Sequence, residues 1–212
     1  MRYPELEPFV EAAQEAIRQA PDGNLPFGFR LTLRKLLEKL FPGENRYALL
    51  CYLSAKELVP GWRALRLERY YDELPDRLLD LCRIAIMQPG DRDARVGRMH
   101  DLGSAVDDAI AMSGHTLGHW SRARFVPFAA YAAVSAALNS PSIEVFDETD
   151  TEWDIEPDLL DTHAYVAMDY AGCLWNSNSN PQARREYWLR WLSEEVPRVF
   201  ASSPEELLRA SG

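Results

Sequence analysis

Cysteine is scarce in this sequence, and its placement offers no disulfide framework. Cys51, Cys82 and Cys173 are odd in number, lie far apart and form no CxxC pair. Small secreted proteins that depend on disulfides have a denser and usually even set of cysteines. We therefore expect a protein of a reducing compartment, the cytoplasm.

Long apolar runs are absent as well. The longest nearly apolar stretch, Phe125–Leu138, includes Pro127 and Ser135, and it is shorter than the roughly 20 residues that a membrane-spanning helix needs. The first residues, Met1–Glu15, carry charges and lack the apolar core of a signal peptide. The sequence therefore predicts no membrane association and no secretion signal.

Positive charge is missing from one long part of the chain. Between Phe125 and Ala183 there is no lysine or arginine. The same stretch contains ten acids, namely Glu144, Asp147, Glu148, Asp150, Glu152, Asp154, Glu156, Asp158, Asp161 and Asp169. The chain has 33 acids and 23 bases in total, so acids and bases balance outside this stretch. Such a surface would repel nucleic acid and attract a basic protein.

Apolar residues recur at helical spacing along most of the chain. One such stripe consists of Leu78, Leu81, Cys82, Ala85 and Ile86. Glu44–Leu58 is apolar around most of its circumference and is expected to be an inner helix. The alanine-rich Val126–Leu138 suits a crowded centre, and Asp158–Ala171 is predicted to be a further helix. The only strand candidate is Ile143–Phe146.

These patterns predict an all-α fold, in which a single domain, residues 1–212, forms an array of about eight to ten helices. The segment from about 140 to 157 is the longest part without helical periodicity, and it is predicted to be one long acidic loop. Loops of that length in compact domains are usually functional or disordered.

The last part of the chain is rich in aromatic residues at helical spacing. Tyr187, Trp188 and Trp191 are expected to pack in the core rather than to form an exposed stacking platform. Glu195 falls on the same stripe, so its carboxylate needs a buried partner, and an arginine from the central helices is the expected one. Pro197 is expected to kink or end this helix.

The acidic loop is the strongest candidate for a partner-binding site. Apolar and aromatic side chains alternate with its carboxylates, which is typical of an interface with buried anchors and a charged rim. The candidate partner-binding residues are Phe146, Asp147, Glu148, Asp150, Glu152, Trp153 and Asp154. The competing interpretation is a solvated loop whose apolar residues only attach it to the domain.

Two spacings resemble metal sites, and neither predicts one. Asp150, Glu152, Asp154 and Asp161 have EF-hand-like spacing, but Ile155 occupies the position that requires glycine. His115 and His119 are four residues apart, yet Thr116 replaces the glutamate of a zincin motif. A third ligand, Asp108 or His163, could come only from the fold, and His163 is expected to be a core residue.

Motifs for catalysis and for cofactors are missing. The sequence has no GxSxG nucleophile motif and no glycine-rich phosphate loop. We therefore expect no enzymatic activity and no cofactor.

Four segments together resemble a known family. They are RYALLCYLSAKELVPGWRAL at 46–65, LPDRLLDLCRIA at 74–85, FAAYAAVSAAL at 128–138 and REYWLRWLSEEVPRVF at 185–200. Their order resembles that of the all-helical bacterial immunity proteins of polymorphic toxin systems, the family numbered five in that series. The resemblance covers roughly residues 40–200 and does not include the acidic loop.

The resemblance implies a cytosolic antidote that binds a cognate toxin domain and blocks its active site. The charge pattern adds that this toxin domain is basic. Two alternatives come from other classes of protein. One is a helical adaptor or regulatory module with no toxin partner, and the other is a metal-dependent hydrolase that uses His115 and His119.

Overall fold

The computed structural model describes residues 3–64, 69–88, 90, 92–117, 125–138, 160–175 and 179–211, without the side chains of 69–70 and 109–117. These residues form helices and no strand, which confirms the all-α fold class. Eight of the described α-helices have ten residues or more: α1 (Leu6–Gln19), α2 (Phe27–Leu40), α3 (Arg46–Lys56), α6 (Leu74–Met87), α7 (Arg92–Leu117), α8 (Phe125–Ala137), α9 (Thr162–Ala171) and α10 (Pro181–Arg190). The shorter elements are α4 (Val59–Arg63), α5 (Arg69–Asp72), a π-helix (Trp191–Glu195), α11 (Val196–Ala201) and α12 (Pro204–Ala210).

The alanine-rich helix α8 lies at the centre, as its composition predicts. It packs against α3, α6, α7 and α9. Ala129, Ala130 and Ala133 are at most 1% exposed, and their small side chains allow neighbouring helices to approach closely. A substitution by a larger side chain would therefore separate helices rather than fill space.

Helix α3 is the second central element and is buried around its circumference. Nine of its eleven residues are buried, and it packs against α2, α6, α8, α9 and α11. The predicted stripe of α6 is buried as well, from Leu78 to Ile86. Both observations follow from apolar side chains at helical spacing, which bury themselves against neighbouring helices.

A tight turn between α1 and α2 lies against the start of α10. Gly23 has φ +69°, and a Cβ atom at this position would lie 2.1 Å from the carbonyl oxygen of Pro181. Arg184 then donates from Nη1 to the carbonyl of Asp22 at 3.1 Å. Only glycine provides both the left-handed backbone and the room for this approach.

The C-terminal helices begin where their capping residues predict. Asn180 accepts a hydrogen bond from the backbone N–H of Ala183, and Pro181 occupies the first turn of α10. Ser203 and Glu206 form a complete capping box at α12. Pro197 also acts as expected, because α10 gives way to the π-helix and Pro197 lies in the first turn of α11.

Helix α9 begins later than its sequence suggests. It starts at Thr162 rather than at Asp158, because the Asp161 side chain accepts from the backbone N–H of Ala164 and caps the helix there. The candidate strand Ile143–Phe146 lies outside the described residues. In the part of the chain that the structure describes, no helix has the length and apolarity needed to cross a bilayer.

Candidate functional site

The candidate partner-binding residues lie outside the part of the chain that the structure describes. This applies to Phe146, Asp147, Glu148, Asp150, Glu152, Trp153 and Asp154. We call residues 140–157 the acidic segment. The structure describes the helical body on both sides of it, where Leu138 and Leu160 are 4% and 3% exposed. Both attachments are therefore anchored in the core.

The first attachment is at the end of α8. The carbonyl of Ala137 accepts a hydrogen bond from Asn45 Nδ2 at 2.9 Å, and the carbonyl of Leu138 accepts one from Arg92 Nε at 2.8 Å. Carbonyls at the end of a helix have no partner within it. Side chains from two other parts of the chain thus hold the C-terminal end of α8 in place.

The second attachment is at Asp161, the N-cap residue of α9. Its Oδ1 accepts from the backbone N–H of Ala164 at 2.9 Å, and its Oδ2 lies 2.6 Å from Arg30 Nε. The side chains of Arg30 and Asp161 are 0% and 4% exposed. Arg30 also donates to the carbonyl of Leu25 and lies over the Trp188 ring. This buried ion pair connects α2 to the start of α9.

The electrostatics of Asp161 follow from this pairing. Burial by itself would raise the pKa of Asp161, but the charge of Arg30, the charge of His163 and the hydrogen bonds from Arg30 and Ala164 lower it. Asp161 is thus a structural carboxylate, and Arg30 compensates its charge. Eight of the ten acids between Phe125 and Ala183 precede Asp161 and lie outside the residues that the structure describes.

Arg30 is absent from the residues predicted from the sequence, although a signal for it was present. Arg30 shares a helical stripe with Leu33 and Leu37, which are both buried in α2. A charged residue on an apolar stripe requires a buried partner of opposite charge. The spacing could have indicated that such a partner exists, but not that it is Asp161.

A buried cysteine–histidine pair lies close to this ion pair. Cys51 Sγ is 3.5 Å from His163 Nε2, a spacing that also occurs in nucleophilic enzymes. Burial raises the pKa of Cys51 to about 12 and lowers the pKa of His163 to about 4. At neutral pH both groups are therefore uncharged, whereas an activated pair consists of a thiolate and an imidazolium. His163 is a core residue, as predicted, and contacts the Trp191 ring.

The candidate metal ligands do not come together in the described residues. Neither His119 nor the side chain of His115 is described. His163 is in the core beside Cys51, and Asp161, the last position of the EF-hand-like spacing, is bound to Arg30. Among the described residues no three His, Cys, Asp or Glu side chains form a group that could hold a metal ion.

A second cluster of charged residues surrounds Glu195. This residue is 8% exposed, and its Oε2 accepts a hydrogen bond from Ser54 Oγ of α3 at 2.8 Å. Its Oε1 lies 3.5 Å from Arg190 Nη2. The prediction of a buried Glu195 is thus correct, but the arginine comes from α10, next to it in sequence, while the central helix α3 provides a hydroxyl.

A cleft of about 280 Å³ opens beside the first attachment, and three arginines, Arg46, Arg92 and Arg95, are among its lining residues. Each of them donates to a carbonyl at a helix end. Arg46 binds those of Val199, Phe200 and Ser202, Arg92 that of Leu138, and Arg95 that of Gln88. The arginines therefore compensate the negative ends of three helices, which explains their convergence without a ligand.

Comparison with known proteins gives a family match. A family model described as immunity protein Imm5 matches residues 10–198 of the 212 residues. No curated protein matches the chain. The match includes three of the four segments on which the sequence resemblance rests and all but the last two residues of the fourth. It begins within α1 and ends within α11.

Proposed function

This chain belongs to the Imm5 family of immunity proteins, and from that membership we propose that it binds a cognate toxin protein and blocks the toxin's active site. Immunity proteins are generally not enzymes. The proposed mechanism is occlusion, in which a bound immunity protein excludes the toxin's substrate. It requires a surface complementary to the toxin and no chemistry from the chain itself.

The observation that supports a specific surface is the distribution of charge. The net charge is −10, and the stretch from Phe125 to Ala183 has ten acids and no base. Outside this stretch acids and bases are equal in number. A toxin that acts on nucleic acid or on nucleotides has a basic active site, because it must bind phosphates. Closely spaced carboxylates are complementary to such a site.

We assign two roles within the acidic segment. Asp147, Glu148, Asp150, Glu152 and Asp154 provide charge complementarity, which accelerates association and selects the partner. Phe146 and Trp153 act as anchors that are buried on binding. The attachments at Leu138 and Asp161 support this proposal, because both flanking residues are held in the helical body.

The test is a charge reversal that combines Asp147→Lys, Glu148→Lys and Asp150→Lys. We expect association with the toxin encoded by the neighbouring gene to slow by at least about tenfold at low salt, because steering by opposite charges is lost. Association rates are measured by stopped-flow fluorescence. Survival of cells that co-express toxin and variant should fall in parallel.

The control reverses three exposed acids of the helical body, through Glu11→Lys, Asp101→Lys and Asp107→Lys. Both variants have the same net charge, so a difference between them reports position rather than total charge. Equal protection by wild type and by the variant of the acidic segment would disprove the assigned surface. If wild-type protein did not bind the toxin at all, the proposed function itself would be wrong.

A further inference from the structure

One nitrogen of Arg190 is shared by three oxygen atoms from different parts of the chain. Arg190 Nη2 lies 2.9 Å from Glu57 Oε2, 3.3 Å from the Tyr170 hydroxyl and 3.5 Å from Glu195 Oε1. A guanidinium Nη atom has only two hydrogens to donate. Glu57 and Tyr170 receive hydrogen bonds from it, and Glu195 Oε1 is left without a hydrogen bond among the described residues.

The three oxygens differ in their access to solvent. The side chains of Glu57 and Arg190 are 33% and 34% exposed, and that of Glu195 is 10% exposed. Tyr170 is 45% exposed, which is unusual for a large apolar residue in the described chain. Arg190 therefore stands between a buried carboxyl group and a surface formed by Tyr170 and Glu57.

This surface is well ordered despite its exposure. The Tyr170 ring stacks on that of Tyr187 at a centroid distance of 5.1 Å, and its hydroxyl donates to Glu57 Oε2 at 3.2 Å. Arg190 lies over both rings. Three helical regions thus hold the tyrosine in place, and Arg190 is the contact that they share.

We propose that Glu195 is a proton-binding site that controls the surface formed by Tyr170, Glu57 and Arg190. When Glu195 is protonated, Arg190 Nη2 donates its two hydrogens to Glu57 and Tyr170. When the proton leaves, a negative charge appears 3.5 Å from Nη2 and competes for the same hydrogens. The hydroxyl of Tyr170 is the weakest of the three acceptors because it is uncharged, so Tyr170 loses its hydrogen bond from Arg190.

The groups that face Glu195 place this proton release near neutral pH. Burial, followed by the charge of Glu57, raises the pKa of Glu195 to about 7, while Ser54 and Arg190 oppose the shift. The charge of Glu194 adds to the increase. Tyr187 of α10 also interacts with Glu195, because burial, followed by the charge of Glu195, raises the pKa of Tyr187 well above its usual value. The buried residues of α1 and α11, which also pack against the π-helix, are all uncharged.

The test is a pH titration of the Tyr170 ring by NMR of the full chain. Aromatic ¹H–¹³C spectra are recorded from about pH 5.5 to about pH 9, and Tyr170→Phe identifies the signals. We expect the Tyr170 signals to shift with one midpoint near pH 7. In Glu195→Gln, which cannot release a proton, they should not move in this range. The matched control Glu194→Gln changes the exposed neighbour and should retain the transition.

Two further variants test the proposal even if Glu195→Gln does not fold. Ser54→Ala removes a hydrogen bond that favours the ionised carboxylate, so the midpoint should rise. Glu57→Gln removes a nearby negative charge, so the midpoint should fall. Tyr170 signals that do not titrate in the wild type, or that titrate equally in Glu195→Gln, would overturn the proposal. This inference is independent of the toxin-binding proposal, since no partner takes part in the test.

Discussion

The buried ion pair between Arg30 and Asp161 gives a quantitative prediction about stability. Arg30→Met replaces the guanidinium by an apolar side chain of similar length and leaves the carboxylate of Asp161 without its cation. The side chains of Arg30 and Asp161 are 0% and 4% exposed, and the pair is 2.6 Å apart. Removing one partner of a buried pair typically costs about 3–5 kcal/mol, because the other charge remains buried. We expect Arg30→Met to lose stability in that range.

The loss of stability in Arg30→Met should depend on pH in a definite direction. In the wild type the pKa of Asp161 is lowered, so its contribution to stability is present above its unfolded pKa of about 3.8 and is lost as the pH falls through the folded value. Without Arg30, burial raises the pKa of Asp161 instead. The variant is then less stable at neutral pH, and it regains stability as the carboxyl group of Asp161 becomes protonated. The difference between wild type and variant should therefore be largest near neutral pH and shrink in acid.

A double-mutant cycle separates the pair from its surroundings. Asp161→Asn keeps a good N-cap residue for α9 but leaves Arg30 buried without its carboxylate. The combined Arg30→Met and Asp161→Asn variant has no buried charge at this site. It should be more stable than the sum of the two single losses implies, with a coupling of about 1–3 kcal/mol.

The assay is urea unfolding followed by tryptophan fluorescence, because Arg30 lies 5.3 Å from the Trp188 ring. Midpoints are compared at equal m-values, so that a change reports stability rather than compactness. A loss below about 1 kcal/mol for Arg30→Met, or a loss that grows as the pH is lowered, would refute the reasoning.

Two further predictions concern folding stability. The pKa of Glu195 is raised from 4.5 to about 7, so its contribution to stability is lost as the pH rises through that interval. In urea unfolding, Glu195→Gln should therefore reduce by about 2 kcal/mol the difference in the free energy of unfolding between pH 5.5 and 8. An unchanged pH profile would contradict this. Gly23→Ala should lower the melting point by several degrees, through a strained positive φ and a clash with the Pro181 carbonyl, whereas the control Gly61→Ala, which meets nothing within 4 Å, should not.

Much of the fold could be predicted from the sequence, because helices depend on interactions within a few residues. The stripe of α6, the inner position of α3 and the central α8 all follow from apolar spacing and from small side chains. The caps at Asn180 and Ser203 are equally local, since each binds an N–H three residues ahead. The acidic segment can also be identified from its composition, because its acids are closely spaced and no base lies among them. Its binding role is still a prediction.

Pairs of charged residues could not be predicted in the same way. The apolar stripe predicts that Glu195 is buried, yet its hydroxyl partner Ser54 is 141 residues away. Arg30 and Asp161 are separated by 131 residues. Asp161 also caps α9, which therefore starts at Thr162, four residues later than predicted.

The sequence by itself determined where helices form, which faces they bury and where the excess negative charge lies, since each of these depends on neighbours within one or two turns. Only the tertiary structure decided which buried charges meet, because packing brings together residues that are more than a hundred positions apart. It also decided that one nitrogen of Arg190 lies within 3.5 Å of three oxygens, an arrangement that depends on the ends of α3, α9 and α10 meeting at one point.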